Sequence, residues 1–134
     1  MSIAKIRAAF VAQLKTLTPL STQYENVAFT PVSGVPYQSF YLMPSAPENP
    51  TLGDRHYRER GLCQITLMYP SNTGTADAFY RAEAIQTAFE RGVTLIKDGI
   101  KVCIQKTPTI ERSFTSGDRF VIPISIYYIA EINL

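Results

Sequence analysis

The chain has 134 residues, a formal net charge of +2 and only 18% charged residues. This length suits one domain that buries a core without disulfides or metal ions, and the small net charge argues against a dedicated nucleic-acid binder, which more often carries clustered basic residues. No apolar run approaches the roughly 18 residues that span a membrane, and nothing marks the chain for secretion. A charged fraction below the usual value of about 25% predicts a relatively apolar surface, of the kind that partner proteins often cover.

The N-terminal segment predicts an amphipathic helix that ends before Pro19. Ser2 can cap this helix, and apolar residues then recur at steps of three and four, which places them on one stripe. The residues of the stripe are Ile3, Ile6, Phe10, Leu14 and Leu17. Two strands are predicted next, over residues 25–30 and 37–43.

Residues 44–60 predict an extended loop or arm between two strands. Prolines at its start remove backbone donors and disfavour helix, and its end, residues 54–60, is the densest charge cluster of the chain. Long loops without structure are uncommon in compact domains and are often functional. We therefore expect the cluster to contact a partner subunit. The candidate contact residues are Asp54, Arg55, His56, Arg58, Glu59 and Arg60.

The same charge cluster leaves other interpretations open. Its arginines, with Tyr57 among them, are of the types that bind phosphate and stack on a base, but Asp54 and Glu59 offset much of their charge. A nucleic-acid contact, a subunit contact and a merely solvated arm therefore remain alternatives at this point.

A third strand over residues 58–69 is predicted from the alternation of apolar residues after the arm, and a second helix over residues 75–91 follows. The apolar stripe of this helix consists of Phe79, Ala82, Ile85 and Phe89. Asp77 and Arg81 are spaced as an i,i+4 pair of opposite charge, with the acid nearer the N-terminus.

The C-terminal third predicts four strands. Residues 93–97 and 100–105 form a hairpin around Asp98-Gly99, because this dipeptide between apolar runs is a strong hairpin pattern. Residues 109–115 and 118–132 form a second pair. One face of the last strand is apolar throughout, whereas the other is half apolar, which suits partial cover by a helix or a neighbouring subunit. Pro123 within this strand indicates an edge or a bulge.

The predicted order is therefore α-β-β-β-α-β-β-β-β over a single domain of residues 1–134. Antiparallel hairpins with helices beside them are typical of the α+β class. We expect an antiparallel or mixed β-sheet with both amphipathic helices packed on one face.

No constellation in the sequence predicts catalysis or cofactor binding. His56 is the one histidine and lies in the flexible charged region, and with Asp54 and Glu59 it offers too few nitrogen ligands for a typical zinc site. Glycines are dispersed at element boundaries rather than clustered around a phosphate. Cys63 and Cys103 are predicted to be buried, reduced thiols. We therefore expect no catalytic, cofactor or metal site, no small-molecule substrate and no enzymatic activity.

From Tyr69 to the last strand, the layout of the chain resembles small phage tail terminator proteins, the group that includes the minor tail protein U of lambda-like phages. The amphipathic N-terminal helix also fits this group. The stretches that carry the resemblance are Tyr69-Pro70, Gly74, Ala82-Glu83-Ala84-Ile85, Phe89-Glu90-Arg91-Gly92, Gly99-Ile100-Lys101-Val102, Pro108 and Gly117-Asp118-Arg119-Phe120-Val121-Ile122-Pro123-Ile124.

The resemblance implies a structural function without a cofactor. Such proteins form a hexameric ring on the last ring of tail tube protein, stop tube polymerisation and offer a surface for head attachment. The implied partners are further copies of the chain, the major tail tube protein and a head-tail joining protein. The charge cluster of residues 54–60 would then contact either a neighbouring copy or the tail tube. The implied location is the head-proximal end of the virion tail, with assembly in the host cytoplasm. The alternatives are a phage neck or head-tail connector protein, a small nucleic-acid-binding module and a small enzyme.

Overall fold

The structure is a computed structural model that describes residues 2–47 and 56–133, which form two helices and one mixed β-sheet. Along the chain, the elements are α1 (Ser2–Leu14), β1 (Ser21–Tyr24), β2 (Tyr37–Pro44), β3 (His56–Pro70), α2 (Ala76–Ala88), β4 (Thr94–Lys97), β5 (Ile100–Ile104), β6 (Thr109–Ile110), β7 (Phe114–Ser116) and β8 (Arg119–Asn133).

The sheet is organised around its last strand, β8. One edge of β8 pairs with β3 along the full length of both strands, from Pro70 opposite Arg119 to His56 opposite Asn133. The other edge pairs in turn with β5, β6 and β7. β2 lies beside β3, while β1 and β4 lie at the two outer positions. The pairing of β1 with β2 is parallel, and the other pairings among the described residues are antiparallel.

Both helices pack on the same face of this sheet. Successive side chains of a strand point to opposite faces, and the rings of Phe10 in α1 and Phe79 in α2 contact Tyr128 and Phe120, which have the same parity in β8. Phe10 also stacks on Phe89 at a centroid distance of 5.6 Å, which joins the two helices to each other. The predicted α+β class, with two helices over one face of a mixed sheet, is confirmed.

The core lies between the helices and this inner face. The residues that β8 contributes to the core face the helices and are almost completely buried. Along the strand they alternate with mixed residues that face away from the helices. The largest fully buried side chains are Phe10, Phe40, Phe89, Tyr128, Ile6, Ile65, Leu67, Ile85, Ile122, Ile124, Ile126 and the polar Gln38.

The strand predicted over residues 25–30 is wrong, because the described strand, β1, ends at Tyr24. The chain turns at Asn26, whose φ of 57° lies in the left-handed region. A carboxylate oxygen of Glu25, Oε1, accepts a hydrogen bond of 2.8 Å from the backbone N of Leu42, which fixes this turn against β2.

The strand predicted over residues 109–115 is split into β6 and β7 opposite Pro123. The Pro123 carbonyl accepts a hydrogen bond of 2.8 Å from the N of Glu111, but proline has no N–H to return. The register then shifts by one residue, from Ile110 opposite Ile124 to Phe114 opposite Val121. The bulge predicted from Pro123 is therefore found in the strand beside it.

The charged segment predicted as the end of an arm begins a strand instead. β3 starts at His56, so residues 56–60 pair with β8, and the side chains of residues 57–60 alternate between the two faces of the sheet. The predicted arm between 48 and 55, which includes Asp54 and Arg55, lies outside the described residues.

Candidate interaction surface

The sheet has an outer face, opposite the two helices, that neither helix covers. Its side chains come from alternate positions, so Leu62 in β3 lies opposite Tyr127 in β8, and Met43 in β2 lies opposite Leu62. Residues that lie opposite each other on neighbouring strands contact each other on one face of a sheet, so Met43, Leu62 and Tyr127 form one row across three strands. The outer face is therefore a surface built by several strands and not by one loop.

One end of the outer face is covered by the connection between β1 and β2. The Arg119 guanidinium donates from Nη1 to the Val35 carbonyl at 2.5 Å and from Nη2 to the Val32 carbonyl at 2.6 Å. It also lies 4.9 Å from the centroid of the Tyr37 ring. Arg119 is buried, so it fixes the connection over this end of the sheet through charge-assisted hydrogen bonds.

The other end of the outer face carries a patch of exposed apolar side chains with basic residues among them. We call it the outer patch and define it by Tyr41, Met43, Leu62, Ile96, Ile129, Arg58, Arg60 and Lys101. Tyr41, Met43 and Ile96 are exposed, Ile96 to 66%. Tyr41 and Met43 lie on β2 and Ile96 lies on β4, towards opposite edges of the sheet, with the partly buried Leu62 and Ile129 between them. Exposed apolar residues on one face of a sheet are candidates for contact with a partner. The sequence contains a signal for these residues. Alternation along the predicted strand 37–43 places Tyr41 and Met43 on one face of that strand, and alternation along 93–97 places Ile96 on the face opposite Leu95.

Arg58 and Arg60, two of the predicted contact residues, both lie in the outer patch. Arg58 Nε donates to Glu131 Oε1 at 2.7 Å across the strands, and Arg60 lies opposite Ile129. Lys101 lies on the far side of Glu131. The ion pair is partly exposed, so it contributes at most about 1 kcal/mol to folding. Among the described side chains, the patch therefore has three basic residues, with Glu131 as an acidic neighbour.

Glu59 is separated from those two arginines by the alternation of the strand. It is buried on the inner face, beside the hydroxyl of Tyr128. Burial, and to a lesser extent the negative charge of Glu59, together raise the pKa of Tyr128 to about 12. The interpretation of Glu59 as part of an exposed mixed-charge cluster is therefore wrong. His56 is the first residue of β3, and the structure describes its backbone but not its side chain.

The two cysteines lie on opposite faces of the sheet. Cys63 is buried on the inner face, whereas Cys103 is exposed on the outer face opposite Ile129, and both are free thiols. The prediction that both are buried is therefore wrong for Cys103. Its neighbours in β5, Val102 and Ile104, are buried on the inner face, so the side chain of Cys103 points to the outer face. Burial raises the pKa of Cys63 well above its usual value, so this thiol stays protonated and inert.

A second exposed surface, on α2, has the opposite charge. Asp77 and Glu83 are exposed, and Tyr80 between them is 71% exposed. The one basic residue of this helix is Arg81, which is buried and donates to the carbonyl of Thr18 instead of facing solvent with Asp77. We call the surface of Asp77, Tyr80 and Glu83 the acidic face of α2.

Neither surface carries a recognisable catalytic arrangement. Within residues 2–47 and 56–133, no three His, Cys, Asp or Glu side chains are grouped so as to hold a metal ion. No helix in the same part of the chain is long and apolar enough to cross a membrane. What the geometry offers is two exposed surfaces of different shape and opposite charge.

The family model described as Phage tail terminator protein matches residues 5–128. The chain belongs to this family. The match includes both helices almost completely and every strand up to the middle of β8. It makes the protein a structural component of phage tails, located in the virion tail, in a family that is not enzymatic.

A solved structure resembles this family member closely. It shares 29% sequence identity, covers 97% of this chain and 96% of its own, and superimposes with a TM-score of 0.78. A search of the curated proteins found no match. The agreement over nearly the whole length of both chains supports the fold derived above.

Several stretches that carry the resemblance determine the fold of this terminator family member. Ala82, Ile85 and Phe89 are buried in the core, and Gly117, with φ of 59°, supplies the turn before β8. Arg119 fixes the connection between β1 and β2. The contact surfaces, in contrast, consist mainly of residues outside those stretches.

Proposed function

We propose that the protein is a tail terminator that caps the tail tube as a hexameric ring, stops tube polymerisation and provides the surface to which the head attaches. Within this ring, the outer patch of one subunit contacts the acidic face of α2 in the next. The partners are therefore further copies of the chain, the major tail tube protein and a head-tail joining protein. The ring sits at the head-proximal end of the tail after assembly in the host cytoplasm.

The observation that carries this proposal is the pair of exposed surfaces on different sides of the molecule. A closed ring of identical subunits needs a head-to-tail contact, in which each subunit uses two different, complementary patches. The outer patch is apolar and positive, and the acidic face of α2 is negative with an exposed tyrosine at its centre. Tyrosine and arginine are both enriched in protein interfaces.

The charges set the register of this contact more than they set its strength. Opposite charges across an interface speed association and suppress wrong partners, while the desolvated apolar centre supplies most of the affinity. We therefore assign the affinity to Tyr41, Met43 and Ile96, and the orientation to Arg58 and Arg60.

Electron microscopy of phage particles made without this gene tests the function. Overlong tails of variable length, without heads, are the expected result because nothing would stop tube growth. Headless tails of normal length would instead favour the neck or connector function, and normal particles would exclude both structural functions. In that last case, salt-dependent binding to DNA or RNA is the next measurement.

Complementation of the same deletion tests the surface. Arg58→Gln combined with Arg60→Gln is expected to fold but to restore fewer particles of normal tail length. The matched control is Lys97→Gln combined with Arg112→Gln, which removes two exposed cations outside the outer patch and is expected to complement fully. Full complementation by the Arg58 and Arg60 variant would remove these arginines from the interface.

A further inference from the structure

Arg81 is a buried cation whose described hydrogen-bond partners are all neutral. Its side chain is 9% exposed. Nη1 donates to the Thr18 carbonyl at 2.6 Å, and Nη2 donates to Gln38 Oε1 at 3.2 Å. Nε is buried without a hydrogen-bond partner. Buried charges in proteins are normally paired with an opposite charge, because leaving one uncompensated in a medium of low dielectric constant is costly.

The cavity beside Arg81 has the composition of an anion site. It has a volume of about 310 Å³ and lies between the end of α1, the connection to β1, and the start of β2. Among the described residues, its lining contains two basic side chains, Arg81 and Lys15, and no aspartate or glutamate. The polar groups of Thr18, Thr22 and Gln38 complete its polar side.

The polar lining is held in place by its own hydrogen bonds. Gln38 is buried and donates from Nε2 to Thr22 Oγ1 at 3.1 Å, while Thr22 Oγ1 donates to the Leu20 carbonyl at 2.9 Å. The amide of Gln38 thus bridges Thr22 and Arg81 and orients the guanidinium. A guanidinium that is already oriented loses little conformational freedom when it binds an anion.

The remaining lining of the cavity is mostly apolar and consists of Leu14, Leu17, Pro19, Leu20 and Tyr24. An inorganic anion would bind Arg81 but make no apolar contact with the leucines. A carboxylate on a short aliphatic stem would bind Arg81 through its oxygens and contact the leucines through its stem. Guanidinium groups bind carboxylates with two parallel hydrogen bonds, and the guanidinium of Arg81 has five N–H donors, of which the described bonds use two.

We propose that this cavity is a binding site for a carboxylate group carried on a short aliphatic stem, with Arg81 as the counter-charge. The carboxylate has two possible sources, a free small organic acid or a glutamate side chain of another protein. The site is separate from the outer patch, although Arg81 follows Tyr80 of the acidic face in α2. Binding of a small carboxylate to the isolated chain is measured without assembly, so its failure is distinguishable from failure of the proposed function.

Nuclear magnetic resonance of the full chain tests the site directly. Sodium butyrate is titrated in, with butyramide as the neutral isostere and sodium chloride at matched ionic strength as the salt control. The Arg81 Nε–Hε signal and the backbone amides of Thr18, Thr22 and Gln38 are expected to shift in a saturable way with butyrate only. An equal response to butyramide or chloride, or no saturable shift, would overturn the proposal.

Variants separate binding from a purely structural role of Arg81. Arg81→Met is expected to weaken butyrate binding at least tenfold. If this variant fails to fold, Lys15→Gln at the exposed rim is expected to weaken binding about twofold to fivefold, with Lys97→Gln as an unaffected control. Wild-type affinity in the folded Arg81→Met variant, or in Lys15→Gln where Arg81→Met fails to fold, would overturn the proposal.

A short peptide identifies the source of the carboxylate. Acetyl-Gly-Glu-Gly-amide is compared with butyrate and with the corresponding Gln peptide. Binding of the Glu peptide at least tenfold more tightly than butyrate supports a protein side chain as the occupant. Equal or weaker binding than butyrate supports a free organic acid, and binding of the Gln peptide as tight as that of the Glu peptide overturns the proposal.

Discussion

The two faces of the sheet differ although the same strands build both. On the inner face, Ile122, Ile124 and Ile126 of β8 are fully buried beneath the helices. On the outer face, the residues between and beyond them range from buried Ser125 to exposed Glu131. A strand that alternates in this way separates two tasks, because its side chains on one face stabilise the fold while those on the other face remain available for contacts.

Substitutions on the inner face should therefore lower stability, and substitutions on the open part of the outer face should change assembly with little effect on stability. The boundary between the two behaviours runs through β3, where Glu59 belongs to the inner face and its neighbours Arg58 and Arg60 belong to the outer patch.

The largest effect is expected at the junction of the two helices. Phe89→Ala removes a fully buried ring that stacks on Phe10, so the free energy of unfolding should fall by about 3–5 kcal/mol. Urea denaturation measures this. Tyr80→Ala in α2 removes an exposed ring and serves as the control, with an expected change within about 0.5 kcal/mol. A loss well below 1 kcal/mol for Phe89→Ala would mean that the inner face is not the core.

A pH-dependent loss of stability is expected from Tyr128. Its pKa is raised to about 12 in the folded protein, against about 10 in the unfolded chain. The unfolded state therefore loses this proton first, and the free energy of unfolding should fall by about 2–3 kcal/mol as the pH rises from about 10 to about 12. Below about pH 10 this contribution is constant.

Unfolding curves of the wild type and Tyr128→Phe across this pH range isolate the effect. The difference between the two free energies of unfolding should change with pH. A difference that stays constant from pH 9 to pH 12 would contradict the buried hydroxyl.

A smaller effect is expected at the covered end of the outer face. Arg119→Met removes the donors to the carbonyls of Val32 and Val35, so stability should fall by about 1–3 kcal/mol. Hydrogen exchange should also become faster in the amides of residues 31–36. Arg112→Met at an exposed position is the control, and an unchanged exchange rate in Arg119→Met would show that another contact fixes this connection.

The smallest effect on stability is expected in the outer patch. Ile96→Glu should change the free energy of unfolding by less than about 0.5 kcal/mol, since the side chain is largely exposed. It should nevertheless reduce tail assembly in the complementation assay, because it places a charge in an apolar contact. Val27→Glu, at an exposed position outside the patch, is the matched control. Normal assembly with Ile96→Glu would move the contact elsewhere.

Hydrophobic periodicity predicted most of the fold because burial and periodicity coincide in the long elements. The stripe of α2 and the alternation of the last strand both led to core residues, among them Ile85 and Ile124. Hydrophobic periodicity did not predict β1, because its sequence, Ser-Thr-Gln-Tyr, has no apolar alternation. This strand is stabilised by its parallel pairing with β2.

Residues that combine charge with burial were the hardest to predict. Arg81 lies at helical spacing between Ala78 and Ile85, both buried, but a charged side chain is assigned to solvent unless its acceptors are known. Its acceptors, Thr18 and Gln38, are distant in sequence and are brought together only by the fold. The side of the sheet taken by Glu59 was likewise hidden until the start of β3 was known.

The position of β8 in the sheet has a consequence for synthesis. The strand that pairs with β3, β5, β6 and β7 is the last of them to be translated. The hairpin of β4 and β5 can form early, but the apolar faces of β3 and β5 stay open until residues 119–133 have left the ribosome. Such open faces and unpaired strand edges favour aggregation. The nascent chain is therefore exposed to misassembly until translation reaches β8, and no copy of the chain has a complete sheet before that point.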